Sequence, residues 1–211
     1  MTDVTDKMTH VFSTLRSRNP EPRTELEYRN HYTLLVAVVL SAQTTDVQVN
    51  KATRALFDAA DNPRAMTALG EEGLKTYINT IGLYNAKARH VVGLSAALLE
   101  RHGGEVPCDL AALQALPGVG RKTARVVMAC AFGKPYIAVD THVFRVANRL
   151  GIVNEKTPEK TEVALEQSVP AQFMHHAHHW LILHGRYVCK AKKPACDRCA
   201  LTEWCDYFKA L

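Results

Sequence analysis

At 211 residues, 47% hydrophobic and 22% charged, the chain has the composition of an ordinary globular protein, with length for one domain or two small ones. Lysine and arginine outnumber the acids 26 to 21, a formal +5 that suits a polyanionic partner without requiring one. The N-terminal MTDVTDKMTH lacks an apolar core, and the longest apolar run, 34-LLVAVVL-40, is far shorter than the roughly 20 residues a bilayer demands, so neither a targeting signal nor a membrane span is expected.

Helical signals follow one another along the chain. Met8, Val11, Phe12 and Leu15 predict an amphipathic first helix, and the run at 34–40 reads as a buried second one. In 44-TTDVQVNKATRALFDAA-60 a Thr/Asp cluster opens a third, with Thr45 and Gln48 spaced for a capping box. Asn62, Pro63 and Gly70 mark the cap, first turn and end of a short helix. Leu74, Tyr77, Ile78 and Ile81 form the next face, with Gly82 as its stop. A longer helix spans 85–102 before Gly103-Gly104, and Asp109 caps a short one in 109-DLAALQAL-116. Beyond a glycine turn, another begins near Arg121. YIAV at 136–139 is the one hint of extended chain, too short to build a sheet. Val143, Val146, Ala147 and Leu150 are the stripe of a helix capped by Asp140 and closed by Gly151. Thr157-Pro158 starts a late helix, and 173–184 forms the last before a group of cysteines. The fold class is all-α, and composition alone reveals no repeat, linker or domain boundary.

Of six cysteines, Cys108 and Cys130 stand alone and read as packing residues. Cys189, Cys196, Cys199 and Cys205 form a C-x6-C-x2-C-x5-C pattern. Without a secretory signal a disulfide framework is not expected, and four thiolates on a short coil point to a metal site. Only Cys196 and Cys199 have the knuckle spacing common in zinc sites, whereas the wider gaps let the chain wrap an iron–sulfur cube. Spacing leaves both open. Arg186, Lys190, Lys192, Lys193 and Arg198 crowd the same coil and make it a candidate phosphate-facing loop.

The second basic group lies in 116-LPGVGRKTA-124. Gly118 and Gly120 permit positive φ and close backbone approach, and the N–H groups of the following helix start form a natural phosphate seat. Arg121 and Arg125, one turn apart, favour that reading over an ordinary helix–helix turn. Lys122 shares a row with Val126 and Ala129, so its stem is expected along packed surface. The positive helix end and desolvation would both disfavour its ammonium, making it a candidate amine nucleophile, with phosphate binding as the alternative. Asp140 could be a plain N-cap, yet capping also fixes a carboxylate's direction as a catalytic acid requires.

Taken together, 40-LSAQTTD-46, 81-IGLYNAKA-88, 116-LPGVGRKTA-124, 137-IAVDTHVFRVANR-149, 179-HWLILHGRYVC-189 and the four-cysteine tail closely resemble the endonuclease III family of DNA glycosylases, of the helix–hairpin–helix superfamily. The resemblance covers nearly the whole chain. It implies a two-lobed all-α fold: a six-helix lobe over 24–134 containing the hairpin, and an iron–sulfur lobe from 1–23 plus 135–211, with Lys122 and Asp140 facing each other across a cleft. It implies a monomeric, cytoplasmic, nucleoid-associated repair enzyme of bacterial type, acting on damaged double-stranded DNA. Oxidised pyrimidines would be removed through a Schiff base on Lys122, assisted by Asp140, and the strand nicked by β-elimination. Gln43 and Leu83 would fill the space of the flipped base, although Leu83 by itself reads as a core residue. Backbone contacts would come from Gly118, Val119, Gly120, Arg121, Arg125, Lys190, Lys192 and Lys193. A [4Fe–4S] cluster would sit on Cys189, Cys196, Cys199 and Cys205. Arg125 is a departure, because many relatives carry Asn there. The family also has the His-Trp pair of 175-HHAHHW-180 without a metal, so His175 and His179 are expected to pack. Rivals are a pyrimidine-dimer or mismatch glycosylase on the same scaffold, a non-catalytic DNA-binding iron–sulfur protein, and a zinc-binding DNA module.

Overall fold

The computed structural model describes residues 4–211, and every regular element among them is helical. In chain order these are α1 (Val4–Arg18), α2 (His31–Leu40), α3 (Asp46–Ala59), α4 (Pro63–Ile78), α5 (Tyr84–His102), α6 (Leu110–Gln114), α7 (Arg121–Phe132), α8 (Thr141–Leu150), α9 (Pro158–Ser168), α10 (Ala171–Tyr187) and α11 (Asp206–Lys209). Two single 3₁₀ turns, Cys196–Arg198 and Thr202–Trp204, lie between the last two helices. The segment 136–139 lies outside any helix and forms no strand among the described residues. No helix among the described residues is long and apolar enough to cross a membrane.

The chain divides into two compact units. One is the contiguous stretch Thr24–Gly133; the other joins the N-terminal stretch up to Arg23 with Lys134–Leu211. In the first, α2 is buried from Tyr32 to Leu40, apolar on every side, and packs against α3, α5 and α7. Its one deep polar pair, the Tyr32 and Ser95 hydroxyls at 2.6 Å, is also buried, and that burial pushes the Tyr32 pKa well up. In the second, Met8, Val11 and Phe12 of α1 share a core with the α8 stripe and with Phe173 and Trp180 of α10. The Phe12 ring lies 5.8 Å from Phe173 and 6.2 Å from Trp180, whose indole N–H donates to Asn19 O at 2.7 Å. Each such apolar side chain contributes about 1.5–3 kcal/mol on burial.

Helix ends follow the chemistry of their caps. Asn62, Asp109, Asp140 and Thr157 each accept a backbone N–H at a helix start, and Gly103 and Gly151 close helices in the left-handed region. Elsewhere the ends differ from expectation. At Thr45 only half of the capping box forms: its hydroxyl accepts from Gln48 N at 3.3 Å, while the Gln48 side chain turns to the hydroxyl itself. The reciprocal box is at Asn30 and Thr33. Within α4, Gly70 does end the first helical piece, as expected: at φ 68 and ψ 177 it is non-helical, and a second piece follows directly. That second piece stops at Ile78, short of Gly82. Cys108 is exposed rather than packed, because it precedes the cap of a five-residue helix at the surface.

Candidate functional site

In the Thr24–Gly133 unit the glycine turn joins α6 to α7. Gly118 holds φ 74, and a side chain there would bring Cβ to 2.6 Å from His90 Cβ. Gly120 is the N-cap of α7 at φ −81 and has no side chain to cap with, the arrangement in which a helix start can take an anion. Val119 offers less than its place in the motif suggests: its side chain is buried and its N–H donates to Leu116 O at 3.1 Å. Gly118→Ala therefore combines a left-handed backbone, about 1–2 kcal/mol, with a clash that His90 must relieve by moving. The expected result is a melting temperature lower by several degrees together with weaker binding to duplex DNA, measured by calorimetry and fluorescence anisotropy.

Arg121 and Lys122 are exposed in the first turn of α7, but Arg125 retains only 5% of its surface. One turn further along, residue 125 falls on the face that α7 turns to the protein, so the expected charge beside the phosphate seat is absent. The packing expected for Lys122 is also absent, because a second helical residue has no preceding turn to lie on. Its Nζ makes no hydrogen bond or ion pair with any described residue. Two further residues of this unit stand out by strain. Gln43, in the turn between α2 and α3, holds φ 55, and Leu83, at the start of α5, holds φ 61. Both are exposed, Leu83 at 63%, which corrects the reading of Leu83 as core. A γ-branched apolar residue held both left-handed and in water is costly twice over, a combination found at functional sites.

In the other unit, Asp140 caps α8. Its Oδ1 accepts from His142 N and Val143 N, both at 2.8 Å, while Oδ2 takes no hydrogen bond from the described residues. The half-buried carboxylate is thus oriented by one oxygen and available at the other. From α8, two arginines hold the cysteine coil. Arg145 donates to Cys189 O at 3.0 Å and to Gly185 O at 2.9 Å. Arg149 donates to Lys190 O at 2.8 Å, to Ala191 O at 3.1 Å and to Cys189 Sγ at 3.5 Å, with its guanidinium over the Tyr207 ring. Lys190, Lys192 and Lys193 are exposed on this coil.

Cys189, Cys196, Cys199 and Cys205 line one small pocket, open in part to solvent and otherwise walled largely by apolar groups. No disulfide forms. Burial pushes the Cys199 and Cys205 thiols up, partly opposed by backbone N–H donors, and the neighbouring cysteines push the same way. Among the described residues no three His, Cys, Asp or Glu side chains are arranged to share one metal ion. The donor set is all sulfur, a chemistry that suits thiolate-bound zinc and an iron–sulfur cluster alike. His175 is exposed and His179 buried, and each pairs with a different neighbour, so the histidine run makes no shared site. Burial holds His179 down to about 3, neutral at physiological pH.

Residues 36–171 match the family model described as HhH-GPD superfamily base excision DNA repair protein. The endonuclease III of Rickettsia conorii is 55% identical over 198 residues, 94% of either chain. The endonuclease III of Escherichia coli K12 is 55% identical over 201 residues, 95% of either chain. Among solved structures, a trapped endonuclease III–DNA covalent intermediate superimposes with a TM-score of 0.91 at 42% identity, covering 100% of this chain and 99% of that one.

Proposed function

The chain belongs to the endonuclease III family within the HhH-GPD superfamily of base excision DNA repair proteins, and from that footing we propose how its own residues excise a base and nick the strand. The protein is a base-excision-repair DNA glycosylase with lyase activity at abasic sites, and its substrates are oxidised pyrimidines in duplex DNA. It works on the chromosome in the cytoplasm.

Lys122 is the nucleophile. As the free amine it attacks C1′ of the damaged nucleotide, the glycosidic bond breaks, and the base departs with the bonding electrons. Asp140 accepts the amine's proton on Oδ2, while its capped Oδ1 keeps the carboxylate aimed. Opening of the sugar ring gives the protonated Schiff base, loss of a C2′ proton expels the 3′ phosphate, and water releases the enzyme. The target base must first leave the stack, and Gln43 and Leu83 fill its place. The uncapped start of α7, Gly118, Gly120, Arg121 and the Lys190–Lys193 coil bind the phosphate backbone. Val119 shapes the turn, its side chain buried and its N–H given to Leu116 O. Arg125 supports α7 from inside.

Cys189, Cys196, Cys199 and Cys205 hold a [4Fe–4S] cluster, which ties four points of the coil together when bound. Arg145 and Arg149 then set that coil on α8, so the lysines at 190–193 are presented in a fixed direction.

The observation that carries this reading is the unpaired Lys122 amine directly behind an uncapped helix start. Borohydride reduction on a duplex with one thymine glycol tests it. A covalent protein–DNA adduct is expected from protein showing a visible absorption band near 400 nm. Binding without an adduct would assign the chain to the monofunctional mismatch glycosylases, and a colourless active protein would remove the cluster.

A further inference from the structure

Lys87, in the first turn of α5, keeps 5% of its surface exposed, and its Nζ donates to Thr44 Oγ1 at 2.8 Å. Burial holds its pKa below the ordinary lysine range, and no carboxylate among the described residues offsets that. Methionine would fill the same space without desolvating an ammonium. The charge therefore has its reason in what it holds.

It holds two segments 43 residues apart. On one side, Thr44 follows Gln43. Its N–H donates to Ser41 O at 3.0 Å and its hydroxyl to Ala42 O at 3.4 Å, which closes the turn that keeps Gln43 left-handed. On the other side, the Lys87 N–H donates to Leu83 O at 3.0 Å, the first helical bond of α5. One chain of hydrogen bonds therefore runs from the Gln43 turn through Lys87 to the backbone of Leu83.

We propose that Lys87 is a positioning residue for strand opening, its hydrogen bond to Thr44 setting Gln43 and Leu83 as a single wedge. The proposal rests on the assignment of those two side chains to the space left by the flipped base. Each sits in a short exposed turn outside any helix, so neither turn has regular structure to fix its distance from the other. A cross-link made at the base of both turns does so, and it leaves their tips clear for DNA. Thr44, a neighbour of Gln43 in sequence, is as necessary to this device as the lysine.

Thr44→Val retains bulk and removes the acceptor, Lys87→Met removes the donor, and Lys87→Arg restores one. The duplex carries thymine glycol opposite 2-aminopurine, which brightens when unstacked. Thr44→Val and Lys87→Met should each lower the fluorescence rise and the single-turnover excision rate about tenfold. The double variant should be no worse than either single, and Lys87→Arg should recover most of the loss. Ground-state affinity and its salt slope should hold. A wild-type rise and rate in Thr44→Val overturns the proposal, whatever Lys87→Met does to folding. A Lys87→Met loss accompanied by a smaller salt slope also overturns it, because the ammonium would then be meeting a phosphate. Leu83→Ala isolates the underlying assignment. If the fluorescence rise survives it, the wedge itself is wrong; if the rise is lost there but kept in Thr44→Val, only the coupling fails.

Discussion

Lys122→Ala leaves no borohydride adduct on a thymine glycol duplex and lowers base excision by about 10⁴-fold or more, the scale on which enzymes lose activity with their nucleophile. The fold should not change. Lys122 is exposed and its amine makes no hydrogen bond or ion pair with a described residue, and alanine removes a cation from the positive end of α7, so stability holds or rises by a few tenths of a kcal/mol. Lys122→Arg sharpens the test by keeping the charge while losing the nucleophile, and it should restore DNA affinity but not the adduct. The measurement is adduct yield on a gel beside the melting temperature of each variant. An adduct that survives Lys122→Ala means that another amine carries the chemistry.

Asp140→Asn should cost about 10³-fold in single-turnover excision, within the range for a group that moves a proton in the transition state, with the melting temperature nearly unchanged. Asparagine caps a helix as well as aspartate does, so His142 N and Val143 N keep their acceptor while the charge and the basic oxygen are lost. Asp140→Ala should match that loss of rate and also give up the cap, about 1 kcal/mol, seen as a fall of roughly 2–4 °C. The pair of variants thus divides one residue into its structural half and its chemical half. Equal rates for Asp140→Asn and wild type would reduce Asp140 to a cap.

The helices were legible because their ends carry local chemistry. Asp109, Asp140 and Thr157 cap what they cap through bonds spanning two or three residues, and a glycine such as Gly151 needs no tertiary help to turn left-handed. What could not be read depends on the third dimension. Arg125 follows the same charge pattern as Arg121, and only the packing of α7 decides that one is buried and the other is not. Leu83 looks like core for the same reason in reverse, since an apolar residue carries no local sign that it faces water. Lys87 reads as a solvated lysine in any helical pattern, and its hydrogen bond to Thr44 crosses 43 residues of chain. The four cysteines were legible as a group, but their spacing left both an iron–sulfur cube and zinc open; the pocket they line is a property of the folded coil.

The discontinuous unit reverses order of synthesis and order of completion. α1 is made before the rest of its unit, yet Met8, Val11 and Phe12 are covered by Phe173 and Trp180, and Lys7 pairs with Asp206 at 2.6 Å. At about 5–20 residues per second, those partners leave the ribosome roughly 10–30 s after α1. The contiguous stretch from Thr24 to Gly133 needs nothing from later sequence for its own core, so it can be finished while α1 still waits with an apolar stripe in water. During that interval the growing chain pairs a compact unit with an apolar stripe that has no core to join.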